Sequence, residues 1–223
     1  MERIVTIGVG RHSSEGAVAL AEAHPEVYAA VGVHPNDADG FTEDDLAWIR
    51  DLASHPRVVA VGECGLDYFR DHARPEAQRR AFAAQIALAR DADLPLVIHT
   101  REAADDTLAI LASEAADHPV VLHCFSLPDR LEEVVERGYV LSFAGPVTFP
   151  RSIELQRAAR DVPAHQIMVE TDSPYLAPVP RRGRPNRPAN VAHTLRFVAG
   201  LRGVGEGELD DLTSANAART FGW

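Results

Sequence analysis

The sequence predicts an α/β fold, a TIM-type (β/α) barrel in which seven of eight strands are present. Short apolar runs rich in Val, Ile and Leu alternate with longer amphipathic stretches along the whole chain. Strands that are apolar on both faces indicate a parallel sheet covered by helices on both sides. We identify seven such runs, whereas a closed barrel of this type has eight strands. One β/α unit is therefore expected to be missing.

The strands are predicted where apolar, β-branched runs occur. They cover Arg3–Val9, Val27–His34, Val58–Glu63, Leu96–Thr100, Val120–Phe125, Tyr139–Ala144 and Ile167–Thr171. Apolar residues spaced three or four apart predict helices between these runs. They lie near Ser14–Ala23, Glu43–Ser54, Pro75–Asp91, Ala103–Ala115, Pro128–Arg137 and Arg151–Arg160, and two further helices follow the last strand. Thr42 and Asp45 predict a capping box at the start of the second helix.

The bulk composition indicates one globular domain, and we expect it to span residues 1–223. Hydrophobic residues make up 46% and charged residues 25% of the chain, and no linker divides it. A formal net charge of −11 argues against a basic coat for nucleic acid, but not against an enzyme that binds nucleic acid at one local site. The sequence has neither a long apolar span nor a secretory signal, so we expect a cytoplasmic protein without a membrane partner.

Polar side chains close five of the predicted strands, where enzymes of this fold place their chemistry. These residues are His34, Glu63, His99, His123 and Asp172. Two imidazoles and two carboxylates that converge on one rim suit a divalent transition metal or Mg²⁺. We therefore predict a metal site built from Glu63, His99, His123 and Asp172, all at the carboxyl ends of strands.

Strand alternation also predicts the role of the two cysteines. Val61 and Glu63 are expected to share one face, which turns Cys64 to the other face, against the helices. The same argument applies to Cys124 beside His123. We interpret both cysteines as buried structural residues rather than metal ligands.

Six runs, taken together and in order, resemble the TatD family of metal-dependent deoxyribonucleases within the wider metallo-dependent hydrolase superfamily. They are GVHP at Gly32–Pro35, GECGLDY at Gly62–Tyr68, VIHTR at Val97–Arg101, HCFS at His123–Ser126, ETDSPYL at Glu170–Leu176 and NAARTFG at Asn216–Gly222. The resemblance covers essentially the whole chain.

The resemblance implies a two-metal hydrolase that cleaves phosphodiester bonds of DNA, single-stranded or at an end. Glu63 would bridge two divalent ions (Mg²⁺, Mn²⁺ or Zn²⁺), His99 and His123 would bind one ion, and Asp172 would bind the other. Asp172 would also orient or deprotonate the attacking water, which makes Glu63 and Asp172 the expected catalytic residues. Glu170 is expected to share a face with Asp172, and it could orient a ligand histidine or instead pair with a basic residue.

Three further residues are candidates for substrate binding. His34 could contact a substrate phosphate or instead cap the following loop. Arg101 could clamp a phosphate oxygen or instead pair with a neighbouring acid. Tyr68 could stack on a base or simply pack. A cluster of four arginines after the last strand (Arg181, Arg182, Arg184 and Arg187) weakly favours a polyanionic substrate.

The family carries a His-x-His pair on its first strand, and this sequence has none; His12 lies near the start without a partner two residues away. The strand at Arg3–Val9 resembles the family's second strand, so the missing β/α unit is expected to be the first. The chain is thus expected to be either a truncated copy of a longer protein, which we favour, or a shortened relative. The remaining four ligands could then hold a single ion, with poor or absent catalysis. The alternatives are a hydrolase of the same superfamily acting on another ester, amide or lactone, and a non-catalytic fragment. The oligomeric state is not predicted.

Overall fold

The computed structural model describes residues 2–223, which fold as two compact units. The first unit comprises residues 2–121 with Gly222, and the second comprises residues 122–221 with Trp223. Within residues 2–223 lie seven β-strands and eight α-helices that alternate along most of the chain, which confirms the predicted β/α pattern. The assignment of residues 1–223 to a single domain stays a prediction.

The element bounds follow the apolar pattern closely. The strands are β1 Ile4–Ile7, β2 Val27–Val31, β3 Val58–Asp67, β4 Leu96–Arg101, β5 Val120–Leu122, β6 Val140–Phe143 and β7 Ile167–Val169, in this order in the sheet. The helices are α1 Arg11–Ala23, α2 Glu43–Ala53, α3 Pro75–Ala92, α4 Ala104–Glu114, α5 Leu131–Glu136, α6 Ile153–Asp161, α7 Val191–Arg202 and α8 Glu206–Phe221. Among the described residues, no helix combines the length and apolarity that a bilayer crossing requires.

The first unit is built on the parallel pairing of β1, β2, β3 and β4. The register opposes Ile4 to Val27 at the start of the first pair, and Gly65 to His99 in the last pair. Every residue of β3 is buried, as expected for a strand with a layer on each face. Helix α3 packs on β3 and buries Phe82 completely.

The predicted capping box at the start of α2 is present. The Asp45 carboxylate accepts hydrogen bonds from the backbone N–H and the hydroxyl of Thr42 at 2.8 and 2.9 Å, and from the indole N–H of Trp48 at 2.9 Å. Partial burial raises the pKa of Asp45, but these hydrogen bonds outweigh it and bring the pKa below its ordinary value. The bonds therefore stabilise the ionised carboxylate at the helix N-terminus.

Replacing Asp45 with alanine is expected to lower the free energy of unfolding by about 1 kcal/mol at pH 7, because three donors lose their acceptor. Since the folded-state pKa is depressed, this stabilisation is present above the unfolded pKa and is lost as the pH falls through the folded pKa. Urea unfolding of both proteins at pH 7 and near pH 3 measures the difference. A gap of the same size at both pH values would contradict this explanation.

The second unit is organised around the parallel pair β6 and β7, in which Leu141 opposes Ile167. Phe143 packs edge to face on Phe125 with ring centroids 5.5 Å apart. Asn216, from the NAARTFG run, is almost fully buried, and its side-chain amide donates to the carbonyls of Ala164 and Ile167 at 2.8 and 2.7 Å. The motif thus ties α8 to the start of β7.

Several predicted strand limits were wrong. β1 is shorter at both ends, β6 begins and ends one residue inside its predicted limits, and β2, β5 and β7 end two or three residues before their predicted limits. β3 and β4 instead continue past Glu63 and Thr100, to Asp67 and Arg101. His34, His123 and Asp172 therefore lie in loops just after their strands, whereas Glu63 and His99 lie inside theirs.

The pairing of β3 with β4 contains a β-bulge at Glu63. Val61 opposes Leu96 and Cys64 opposes Ile98, so three steps on β3 match two steps on β4. The additional residue interrupts the strict alternation on which the predicted shared face of Val61 and Glu63 depended. Bulges of this kind redirect side chains and are frequent beside active sites.

The prediction for the cysteines was right for one of the two. Cys64 is fully buried, and its burial raises the pKa of the thiol far above its ordinary value. Cys124 is only half-buried, because β5 ends at Leu122 and Cys124 lies in the following loop with φ 42°.

Candidate metal centre

The first unit gathers two histidines around the Glu63 carboxylate. Oε1 of Glu63 lies 2.8 Å from Nδ1 of His99 and 3.6 Å from Nε2 of His34, and the two imidazole rings meet edge to face with centroids 4.6 Å apart. One potential ligand atom from each residue lies within 4.8 Å of the others. Glu63 is only 8% exposed, so the histidines offset the cost of burying its charge.

The surroundings of His34 favour a hydrogen-bond donor over a metal ligand. Burial lowers the pKa of His34 below its ordinary value, although the Glu63 carboxylate acts in the opposite direction. The backbone N–H of Asn36 donates to Nδ1 at 3.1 Å, which leaves the ring proton on Nε2. His34 thus caps its loop, as one of the two predicted alternatives had it, and directs an N–H towards the cluster.

His99 lies between two carboxylates. Its Nδ1 faces Glu63, and its Nε2 lies 3.3 Å from Oδ2 of Asp67, a residue that is 2% exposed. Each ring nitrogen of His99 thus faces a buried carboxylate. Nε2 is buried, and no described residue provides it with a well-directed hydrogen bond. Two buried carboxylates beside one imidazole concentrate negative charge that a divalent cation would offset, so Glu63 and His99 fit such an ion.

The second unit contains a similar arrangement around His123. Nδ1 of His123 lies 2.8 Å from Oε1 of Glu170, and Nε2 lies 4.0 Å from Oδ1 of Asp172. Two donor atoms that share one ion lie at most about 4.2 Å apart when each bond is about 2.1 Å long. The pair His123 and Asp172 meets this limit. Glu170 lies beside the opposite nitrogen of the ring, the position that carboxylates take next to metal-bound histidines.

The structure therefore places two predicted ligands together in each unit, Glu63 with His99 and His123 with Asp172. The full set of four ligands stays a prediction. Asp67 was not predicted as part of the site. It could have been noticed because it follows Glu63 in the same motif and is an acid in an otherwise apolar strand.

The predicted substrate-binding residues have different surroundings. The Tyr68 hydroxyl donates to Asp106 at 2.6 Å and accepts from Arg79 at 3.0 Å, so its half-buried ring is anchored by these two contacts. Arg101 is exposed, and its guanidinium stacks on the ring of Phe69 with 3.7 Å between Cζ and the ring centroid. Phe69 was not among the predicted site residues.

Comparison with known proteins identifies the family. The profile described as TatD related DNase matches residues 1–222. The uncharacterized metal-dependent hydrolase YabD of Bacillus subtilis (strain 168) is 39% identical over 223 residues, which cover 99% of this chain and 88% of the relative. A protein of Enterobacter lignolyticus (strain SCF1), named 3'-5' ssDNA/RNA exonuclease TatD, is 39% identical over 222 residues, covering 96% and 85% of the two chains.

A solved structure agrees with the sequence comparison. The crystal structure of YJJV, a TatD homologue from Escherichia coli K12, superposes with a TM-score of 0.94 at 28% identity, covering 100% of this chain and 87% of that chain. The match confirms the predicted fold class, an α/β fold of the TIM-barrel type. The chain therefore belongs to the family of TatD-related DNases and is a metal-dependent hydrolase.

Proposed function

We propose that this protein is a nuclease that hydrolyses phosphodiester bonds of DNA, acting on single strands or at strand ends. The observation that carries the proposal is the buried Glu63 carboxylate, which contacts His99 beside a second histidine that presents an N–H. The name of the Enterobacter relative, a 3'-5' ssDNA/RNA exonuclease, supports a nucleic-acid substrate. We further propose a cytoplasmic location.

Glu63 and His99 in the first unit, and His123 and Asp172 in the second, are the residues that would hold divalent metal. A bound divalent ion offsets phosphate charge and lowers the pKa of a coordinated water. The carboxylate of Asp172 is 31% exposed, which suits a group that orients an attacking water and accepts its proton. Glu170 lies 2.8 Å from Nδ1 of His123, and Asp67 lies 3.3 Å from Nε2 of His99, so each would orient its histidine from the side opposite the ion.

Substrate binding is assigned to residues beside the Glu63 cluster. His34 presents its Nε2 proton and could donate it to a phosphate oxygen. Arg101 ends β4 two residues after His99 and is exposed, so its guanidinium can form paired hydrogen bonds with a phosphate. These groups provide local positive charge and donors in a chain whose net charge is −11.

Metal removal combined with a panel of substrates tests the proposal. We expect the purified protein to shorten a single-stranded oligonucleotide, to lose this activity after chelation, and to regain it with Mg²⁺, Mn²⁺ or Zn²⁺. The same preparations are assayed on a nitrophenyl ester, an amide and a lactone. Metal-dependent turnover of one of these, with the oligonucleotide left intact, would assign the other hydrolase activity instead.

A further inference from the structure

An exposed phenylalanine lies two residues after the end of β3, near the Glu63 cluster of the first unit. Phe69 is 50% exposed, while the preceding residues of β3 are all buried. The Arg101 guanidinium covers its ring at 3.7 Å, and the Arg70 guanidinium lies 6.0 Å from the ring centroid. Phe69 is thus a half-exposed apolar ring with one guanidinium stacked on it and a second one nearby.

The chain holds Phe69 in a fixed place relative to His99. Oδ1 of Asp67 accepts the backbone N–H groups of Phe69 and Arg70, each at 3.0 Å, while Oδ2 of the same carboxylate lies 3.3 Å from His99 Nε2. Arg101 follows His99 by two strand residues, a distance of about 7 Å along β4. One buried carboxylate therefore links the ring to a proposed metal ligand.

Packing does not explain why an aromatic residue is needed here. The neighbouring ring, Tyr68, has a structural role through its hydroxyl contacts with Asp106 and Arg79. The Phe69 side chain has no polar group, and half of it is exposed to solvent. One face of its ring contacts the long, flexible side chain of Arg101. An exposed aromatic ring flanked by arginines is the combination that proteins use to bind single-stranded nucleic acids, since bases stack on the ring and phosphates pair with guanidinium groups.

We propose that Phe69 stacks on a nucleobase of single-stranded DNA while Arg101 binds an adjoining phosphate. The assignment rests on the proposed function, because it places a nucleic-acid strand beside the Glu63 cluster. Base stacking, for which Tyr68 was the predicted candidate, is thereby assigned to Phe69. Arg101 keeps the phosphate contact and also fixes the plane of the ring by stacking on it.

Binding to two matched strands distinguishes the contribution of the bases from that of the phosphates. A labelled phosphorothioate oligothymidylate, which resists hydrolysis, is compared with an abasic phosphorothioate strand of equal length, using fluorescence anisotropy and the protein with its metal. Phe69→Ala is expected to weaken binding of the thymidylate strand by about 5- to 150-fold and to leave the abasic strand within about twofold. Phe69→Trp is expected to retain thymidylate binding.

Two further variants complete the design. Arg101→Gln is expected to weaken the binding of both strands. It is also expected to reduce the salt dependence of binding by the amount that corresponds to about one phosphate contact. Leu20→Ala, at a residue of α1 that is 45% exposed, is the surface control and is expected to bind both strands normally. Equal losses on both strands for Phe69→Ala, or no loss on either, would overturn the inference.

Turnover of bis(4-nitrophenyl) phosphate, measured in parallel, keeps this inference separate from the proposed function. A protein that hydrolyses this diester but binds thymidylate no better than the abasic strand refutes stacking by Phe69 and leaves the hydrolase chemistry in place. A Phe69-dependent preference for thymidylate, without hydrolysis of any phosphodiester, supports the stacking contact and refutes the nuclease assignment.

Discussion

Replacing Glu63 with glutamine is expected to reduce phosphodiester hydrolysis by about a thousandfold, equivalent to about 4 kcal/mol of transition-state stabilisation. Glutamine has nearly the shape of glutamate, so the new side chain still fits the buried space that Glu63 occupies on β3. The amide lacks the negative charge, however, and it cannot hold a divalent cation as a carboxylate does. Bound metal is therefore expected to fall together with activity.

Metal content per chain, measured by mass spectrometry of the purified protein, distinguishes this explanation from misfolding. The variant is expected to lose at least about tenfold in metal affinity while its thermal unfolding stays cooperative. The matched control is Glu22→Gln. Its carboxylate also lies beside a histidine, 3.2 Å from Nε2 of His55, but the Glu22 side chain is 60% exposed. This control is expected to keep wild-type metal content and activity.

The result for Glu63→Gln decides between a metal ligand and a structural carboxylate. Wild-type metal content and hydrolysis in the variant would remove Glu63 from the mechanism. Its role would then be limited to its polar contacts with His34 and His99. Loss of activity with full retention of metal would instead give Glu63 a role towards the substrate.

The sequence predicted the fold because its main signal, the alternation of apolar strands with amphipathic helices, depends on burial alone. The strand that contains Glu63 shows the limit of predictions from burial alone. A carboxylate after an apolar run predicts the end of a buried strand, since an unpaired buried charge is unfavourable. Here His34 and His99 compensate the charge, and β3 continues to Asp67 through a bulge. The compensating residues are distant in sequence, so no local pattern could reveal them.

The same limit explains the site residues that the sequence identified only in part. Glu63 and His99 were predicted from their positions near strand ends. Their contact depends on the register between β3 and β4, which the alternation of residues along each strand indicates only approximately. The choice between Tyr68 and Phe69 could not be made, because the two aromatic residues are adjacent and differ only in what their rings meet. Arg79 and Asp106 anchor Tyr68 from two different helices. Only the packed structure reveals that Phe69 is the exposed ring.

Replacing Gly65 with alanine is expected to lower the free energy of unfolding by about 4 kcal/mol, which combines strain at positive φ with overpacking. Gly65 has φ +131°, a conformation that residues with a Cβ rarely adopt. A Cβ at this position would lie 2.1 Å from the carbonyl oxygen of His99 on the paired strand. The obstacle is backbone, so no change of side-chain rotamer can relieve it.

Denaturant unfolding and thermal melting measure the loss, which corresponds to a fall in Tm of about 10 °C for a chain of this size. Gly16→Ala is the matched control from the same unit. Gly16 is exposed within α1, and a Cβ added to it would meet no atom within 4 Å, so alanine is expected to stabilise the protein by about 0.5–1 kcal/mol. A Gly65→Ala variant within about 1 kcal/mol of the wild type would mean that β3 and β4 do not approach this closely.

The effect of Gly65→Ala also extends to function, because Gly65 opposes His99 in the strand register. Relief of the clash requires β4 to move away from β3 at the residue whose imidazole contacts Glu63 at 2.8 Å. Any variant protein that remains folded is therefore expected to lose metal affinity as well as stability. The second glycine of the GECGLDY run thus allows two parallel strands to come close enough for the Glu63 carboxylate on one to contact the His99 imidazole on the other.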